Sequence, residues 1–343
     1  MEQRRLFELD GLRGLAAMAV CIFHFDLFVY GVTGVDLFFM ISGFVIYMSI
    51  INARSIGDFW FSRVIRLYPA YWLSIIIAIP CYTILSHQVI SHQLNFIAGN
   101  FTMLQPVFRC GYLVQAYWTL YIEINFYVLI SLLWRFKLFK HIELTIFIGL
   151  VLIATIIPAY QLFGDSSPAY TRFFIITRSL FPLICHFHLF AAGIVFYLIY
   201  TKGMNYIRLS LLLFSFVLIA LTHSIGGKAQ FYLNNTEHLI CCFVYYLLFF
   251  LVIYNKAAIL KHPLLVELGN LSFVLYLIHQ CLGTSISDYL VPSVGPVISK
   301  TIGISASLIA SYLITHYYDI PLRGWLKKVY KPQIKQPIAV LKS

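Results

Sequence analysis

Long apolar runs separated by short polar clusters repeat along the whole chain. Ten of them, at 11–30, 34–51, 69–86, 117–135, 143–162, 181–200, 206–223, 237–255, 267–290 and 295–318, read as membrane spans, since about 20 apolar residues in a helix cross roughly 30 Å of hydrocarbon. The polar clusters carry their basic residues unevenly. With the N-terminus placed in the cytoplasm, eighteen of the 24 Lys and Arg fall on the inside, while Arg109, Arg172, Arg178, Lys228 and Lys300 fall outside and Arg13 lies within a span. That asymmetry predicts both termini cytoplasmic. The expected fold is therefore all-α: a polytopic helical bundle over residues 1–320, followed by a short basic tail, 321–343, along the inner surface.

Composition agrees with the pattern. At 61% hydrophobic and 11% charged residues, with a mean hydropathy of +0.85, the chain is too apolar to be a soluble domain. Its net charge of +11 is accounted for by topology and anionic inner-leaflet lipid, so no nucleic-acid partner is expected. The first run continues past any small-residue cleavage site into the second and is expected to be retained. Six of the seven cysteines fall in apolar runs and Cys110 falls in a loop. This gives neither a disulfide framework nor a metal-ligand spacing. There is no internal repeat.

Two ionisable residues, Arg13 and His24, interrupt the first apolar run, where such groups are costly and mark function. Their separation is about 1,100° of helical rotation, roughly 20° beyond three turns, with a rise of about 16 Å. They share one face at two depths, with His24 expected near the midplane. Gly11, Gly14 and Ala17 leave the face of Arg13 open to close approach.

The segments around this pair form an ordered set: Leu9-Asp10-Gly11-Leu12-Arg13-Gly14, Gly34-Val35-Asp36-Leu37-Phe38-Phe39 through Ser42-Gly43-Phe44, Ser62-Arg63-Val64-Ile65-Arg66-Leu67-Tyr68-Pro69, Trp118-Thr119-Leu120-Tyr121-Ile122-Glu123, and Ser272-Phe273 with Tyr276-Leu277-Ile278-His279. Together they resemble the membrane-bound acyltransferase family 3. The resemblance implies transfer of an acyl group, usually acetyl from acetyl-coenzyme A, to a hydroxyl of a cell-surface glycan such as O-antigen or exopolysaccharide, or of a lipid-linked glycan. It also implies functional roles for Arg13 and His24, with no permanently bound cofactor. Two departures stand out. Ile124 occupies the place where a second carboxylate often follows the Glu123 position, and the extracytoplasmic hydrolase-like domain of some relatives is not seen.

The residues suit that chemistry. Coenzyme A is a polyanion, and Arg63 and Arg66, one turn apart at the inner mouth with Arg13 deeper, offer guanidinium forks for its phosphates. Positive-inside anchoring is the alternative role for both. His24 is the candidate general base for a hydroxyl nucleophile. Glu123 and His279 are expected at the depth of His24, where either would orient the imidazole or the acceptor. Asp36, His279 and Trp118 are candidate acceptor contacts, although Asp36 also suits a helix N-terminus. Asp10, one turn before Arg13, would brace it or cap the helix. His186 and His188, two apart, face different ways and suit hydrogen bonding between helices better than joint metal ligation. The rival readings are a transporter or flippase, because charged residues in a bundle also line transport paths, and a non-catalytic assembly or sensor subunit, for which His24 would be dispensable.

Overall fold

A computed structural model describes residues 6–163 and 166–330. Arg4, Arg5, Lys331, Lys335 and Lys342, five of the basic residues expected inside, and most of the expected basic tail lie outside the described residues. The chain is an all-α polytopic membrane protein. Its described helices are α1 (Phe7–His24), α2 (Gly34–Ile51), α3 (Ile56–Pro80), α4 (Leu94–Thr102), α5 (Trp118–Arg135), α6 (Ile142–Phe163), α7 (Pro168–Leu180), α8 (Phe187–Lys202), α9 (Tyr206–Thr222), α10 (Asn235–Ile253), α11 (Pro263–Ile278), α12 (Ser285–Val294), α13 (Pro296–Ile314) and α14 (Ile320–Val329). Among the described residues, seven stretches are long and apolar enough to cross a membrane by length and composition, and α8 and α9 are shorter apolar helices.

Several expected boundaries shift, each for a local reason. The first helix runs from Phe7 to His24 and stops there, rather than spanning 11–30. The amide of Asp26 bonds back to the Phe23 carbonyl, and Asp26 itself takes a left-handed backbone at φ 55°. His24 is thus the last residue of its helix rather than a residue within it. α3 starts thirteen residues before the expected 69, because the Ser55 side chain accepts the Asp58 amide at 3.1 Å and caps it. Arg63 and Arg66 consequently belong to the helix. The expected 267–290 span lies within one longer stretch, Pro263–Val294, in which a π-helical turn, His279–Thr284, joins α11 to α12. α4 and α7 occupy segments expected as loops, and residues 321–329 of the expected tail continue as α14.

Two tight pairings set the frame. α1 lies along α11 in parallel, and a Cβ on Gly14 would sit 2.7 Å from both the Gly269 amide nitrogen and the Leu265 carbonyl oxygen, so only glycine allows these backbones to meet. Gly14 therefore seats α11, and Gly11 seats the turn at Leu260 that leads into it, rather than leaving space beside Arg13. α2 runs parallel to α8 in the same manner, with Phe39 stacked on Phe190 at 4.9 Å and Phe190 on Phe126 of α5 at 4.3 Å. These rings hold α2, α5 and α8 around the foot of the site.

Candidate active site

Parallel packing of α1 on α11 aligns two sets of polar side chains at two levels. At the first level, Arg13 of α1, Arg63 and Arg66 of α3 and Glu123 of α5 line one cleft of about 750 Å³, together with Ser42 and Ser272. Asp10 lies 3.9 Å from Arg13. Arg63 donates to Ser49 Oγ at 3.2 Å and to Ser62 Oγ at 3.3 Å. Neither Arg63 nor Arg66 has a carboxylate within 4.0 Å among the described residues, whereas Arg323 nearby is matched by Asp319 at 2.7 Å. Glu123 accepts the Tyr127 hydroxyl at 2.5 Å. Three guanidinium groups therefore line this cleft against one lining carboxylate, Glu123, with Asp10 beside Arg13, which leaves an excess of positive charge of the kind that suits an anionic ligand.

At the second level a smaller cavity of about 500 Å³ is lined by His24, Asp36, Trp118, Lys228 and His238. The expectation that Glu123 sits at the depth of His24 is corrected here: it lines the arginine cleft instead. His279 does meet His24, with ring centroids 5.1 Å apart. His279 Nδ1 donates to the Leu275 carbonyl at 3.0 Å, and its buried Nε2 has no hydrogen-bond partner. With Nδ1 carrying the proton, Nε2 is an unused acceptor beside the His24 ring.

Val35 and Tyr276 line both cavities, so the partition between them is about one side chain thick. Tyr276 is held there by its hydroxyl, which donates to the Ala116 carbonyl at 2.9 Å and pairs with Thr119 Oγ1 at 2.7 Å.

Asp36 is not a simple helix-terminus charge. His238 Nε2 donates to Asp36 Oδ2 at 3.0 Å, and His238 Nδ1 lies 3.0 Å from His223 Nδ1. Cys242, four residues after His238 on α10, brings a third ligand-type atom, all three lying within 4.8 Å of one another. Reading spacings along the sequence finds no such group, because Asp36 comes from another helix. As placed, it is a hydrogen-bonded pair with a thiol beside it. Burial of Lys228, which sits on a turn between α9 and α10, lowers its ammonium from the ordinary lysine value.

His186 ends a 3-10 turn instead of lying in a helix with His188, and packs against Trp118 at 5.6 Å and Phe39 at 5.0 Å. His188 approaches Thr222 Oγ1 at 3.5 Å. Sequence reasoning missed His238, Lys228 and Tyr276 as lining groups. His238 was in principle visible as a polar residue heading an apolar run, but its partner Asp36 is 202 positions away.

A profile described as an acyltransferase domain matches residues 6–316. A Staphylococcus aureus (strain MRSA252) protein provisionally named an O-acetyltransferase is 25% identical over 378 residues, covering 97% of this chain and 61% of its own length. One so named from strain COL is 25% identical and covers 92% of this chain and 57% of its own length. The O-acetyltransferase OatA of Staphylococcus aureus (strain NCTC 8325 / PS 47) is 28% identical over 193 residues, 49% of this chain and 32% of its own. The chain thus spans about three-fifths of the length of the first two relatives. No solved structure matches.

Proposed function

The chain belongs to the membrane-bound acyltransferase family 3, and from that premise we propose that it is an O-acyltransferase moving an acetyl group from acetyl-coenzyme A to a hydroxyl of a cell-surface polysaccharide across the bacterial cytoplasmic membrane. The observation that carries this reading is the pair of cavities, one rich in arginine and one holding His24, whose linings share Val35 and Tyr276. A polyanionic donor with a long arm and a neutral polyhydroxyl acceptor need such unlike chambers.

The donor phosphates bind Arg63 and Arg66, with Arg13 deeper, and the thioester arm passes Tyr276 toward His24. The acceptor hydroxyl enters from the other cavity, oriented by the Asp36 carboxylate and against the Trp118 ring. His24 takes the hydroxyl proton as the oxygen bonds to the thioester carbonyl carbon. The carbon–sulfur bond then breaks, and the departing thiolate takes the proton back from the imidazolium, so no proton is lost. His279 is a positioning residue: its Nε2, without a partner as placed and beside the His24 ring, is the acceptor to which a His24 N–H would turn when the sugar hydroxyl binds, leaving the other His24 nitrogen unprotonated.

The test uses membrane vesicles of known orientation. Transfer is expected only with acetyl-coenzyme A on the cytoplasmic face and acceptor on the opposite one. Equal transfer with both substrates on one face would overturn the transmembrane route. A mass-spectrometric comparison of envelope glycans with and without the gene checks the reaction itself, and unchanged acylation with altered export would favour a transporter instead.

A further inference from the structure

Outside both cavities, α5 and α6 enclose a long apolar groove of about 1720 Å³ whose lining includes Val128, Leu132, Ile148 and Leu152. These four side chains are between 44% and 53% exposed, which places them toward lipid in a membrane-spanning bundle. The groove runs along α5 from Tyr121 to Leu133, a rise of about 18 Å. Its walls are the loop near Leu104 and Val107, α5 with α6, and the segment from Leu180 to Phe187.

At the Trp118 end of α5 three of these walls continue into a second, polar cleft of about 810 Å³. Arg109 comes from the loop, Trp118 and Ile122 from α5, and Arg178 and Ser179 from the end of α7. The Tyr121 hydroxyl donates to the Leu180 carbonyl at 2.7 Å, fastening α5 to the third wall where groove becomes cleft.

Four features of this cleft point to an anionic head group attached to a group that reaches the His24 cavity. No acidic side chain lines it, and neither Arg109 nor Arg178 has an ion-pair partner within 4.0 Å among the described residues. Both arginines come from the sparse set of five basic residues expected outside, so topology gives no reason for them. The loop carrying Arg109 is also built in place: Asn100 Oδ1 accepts the Leu113 amide at 2.8 Å, Asn100 Nδ2 donates to Gly111 O at 3.0 Å, and the buried Gln105 donates to Tyr71 Oη at 3.2 Å. Trp118, finally, lines both this cleft and the His24 cavity.

We propose that groove and cleft form a binding site for a lipid-linked acceptor, a long-chain lipid carrying the sugar through a phosphate. The tail lies between α5 and α6, and the phosphate is held by Arg109 and Arg178, whose guanidinium forks match its oxygens. The attached sugar passes Trp118 into the cavity of His24. This rests on the acyltransferase reading and names its acceptor class: the sugar is modified while still on its membrane carrier.

The experiment uses the full chain in phosphatidylcholine nanodiscs, with polyprenyl phosphate as the probe and polyprenol, phosphatidylglycerol and inorganic phosphate as comparators. Polyprenyl phosphate is expected to bind at least tenfold more tightly than each comparator. Arg109→Gln and Arg178→Gln should each weaken it by about tenfold, in line with loss of one charge-assisted contact, and Leu152→Trp should weaken it by filling the groove. All three variants should retain acetyl-coenzyme A affinity, which also reports that they fold. Equal binding of phosphatidylglycerol would mean an ordinary lipid annulus and overturn the proposal, as would undiminished binding in both arginine variants. Acetyl-coenzyme A binding by the unaltered protein is read in the same nanodiscs, so failure of the acyltransferase reading is seen separately from failure of the lipid site.

Discussion

Replacing His24 by Ala separates chemistry from architecture. The ring ends α1 and is half-buried, touching Phe23 at 4.9 Å and His279 at 5.1 Å between centroids. Each such ring contact is worth about 0.5–1.5 kcal/mol, so the stability cost is about 1–3 kcal/mol. A lost general base lowers rate by about 10²–10⁴-fold, or roughly 3–5 kcal/mol of barrier. Turnover should therefore fall far more than folding does. Acetyl-coenzyme A affinity should stay within about twofold, because Arg13, Arg63 and Arg66 line a different cavity from His24. The assay pairs single-turnover transfer from labelled donor in proteoliposomes with donor binding and a thermal melt of the same preparation. His279→Phe keeps a ring of similar size but removes the acceptor nitrogen, and its kcat should drop with KM little changed. Near-normal turnover in His24→Ala would refute the assignment of the base, and equal loss of donor binding and turnover would refute the division into two chambers.

Arg63→Ala and Arg66→Ala should each weaken acetyl-coenzyme A by about 10- to 100-fold, as charge-assisted hydrogen bonds are worth about 1.5–3 kcal/mol, with a smaller loss at high salt; unchanged affinity in titration calorimetry would leave them as topology anchors. Arg13→Lys keeps the charge but loses the planar fork, and should raise the donor KM with little change in expression. Asp36→Asn removes the charge facing His238, and should raise the acceptor KM while leaving donor binding intact; a change in donor binding alone would contradict its placement in the His24 cavity. Gly269→Ala places a methyl group into the Asp10 carbonyl, and should destabilise the α1–α11 pair by about 1–3 kcal/mol, read as a lower melting temperature with both His24 and His279 misplaced.

The sequence by itself determined that this is a helical membrane protein and that Arg13 and His24 share a face, because hydropathy and helical periodicity are local properties of the chain. It also carried enough ordered motif residues, from Asp10 to His279, to identify the family. Where α1 ends was hidden, since His24-Phe25-Asp26-Leu27-Phe28 keeps its apolar character through a turn made by backbone hydrogen bonds. The start of α3 was hidden as well, because arginines inside a helix lower its hydropathy without breaking it. Only the tertiary structure decided which polar groups share a chamber. Glu123 goes with the arginines, His279 goes with His24, and Asp36 finds His238 from the far side of the chain. Those pairings depend on helix rotation and register, fixed by backbone contact at Gly14 and Gly269 and by the stacked rings of Phe39, Phe190 and Phe126. Such contacts join residues from dozens to hundreds of positions apart, and no periodicity along one segment encodes them.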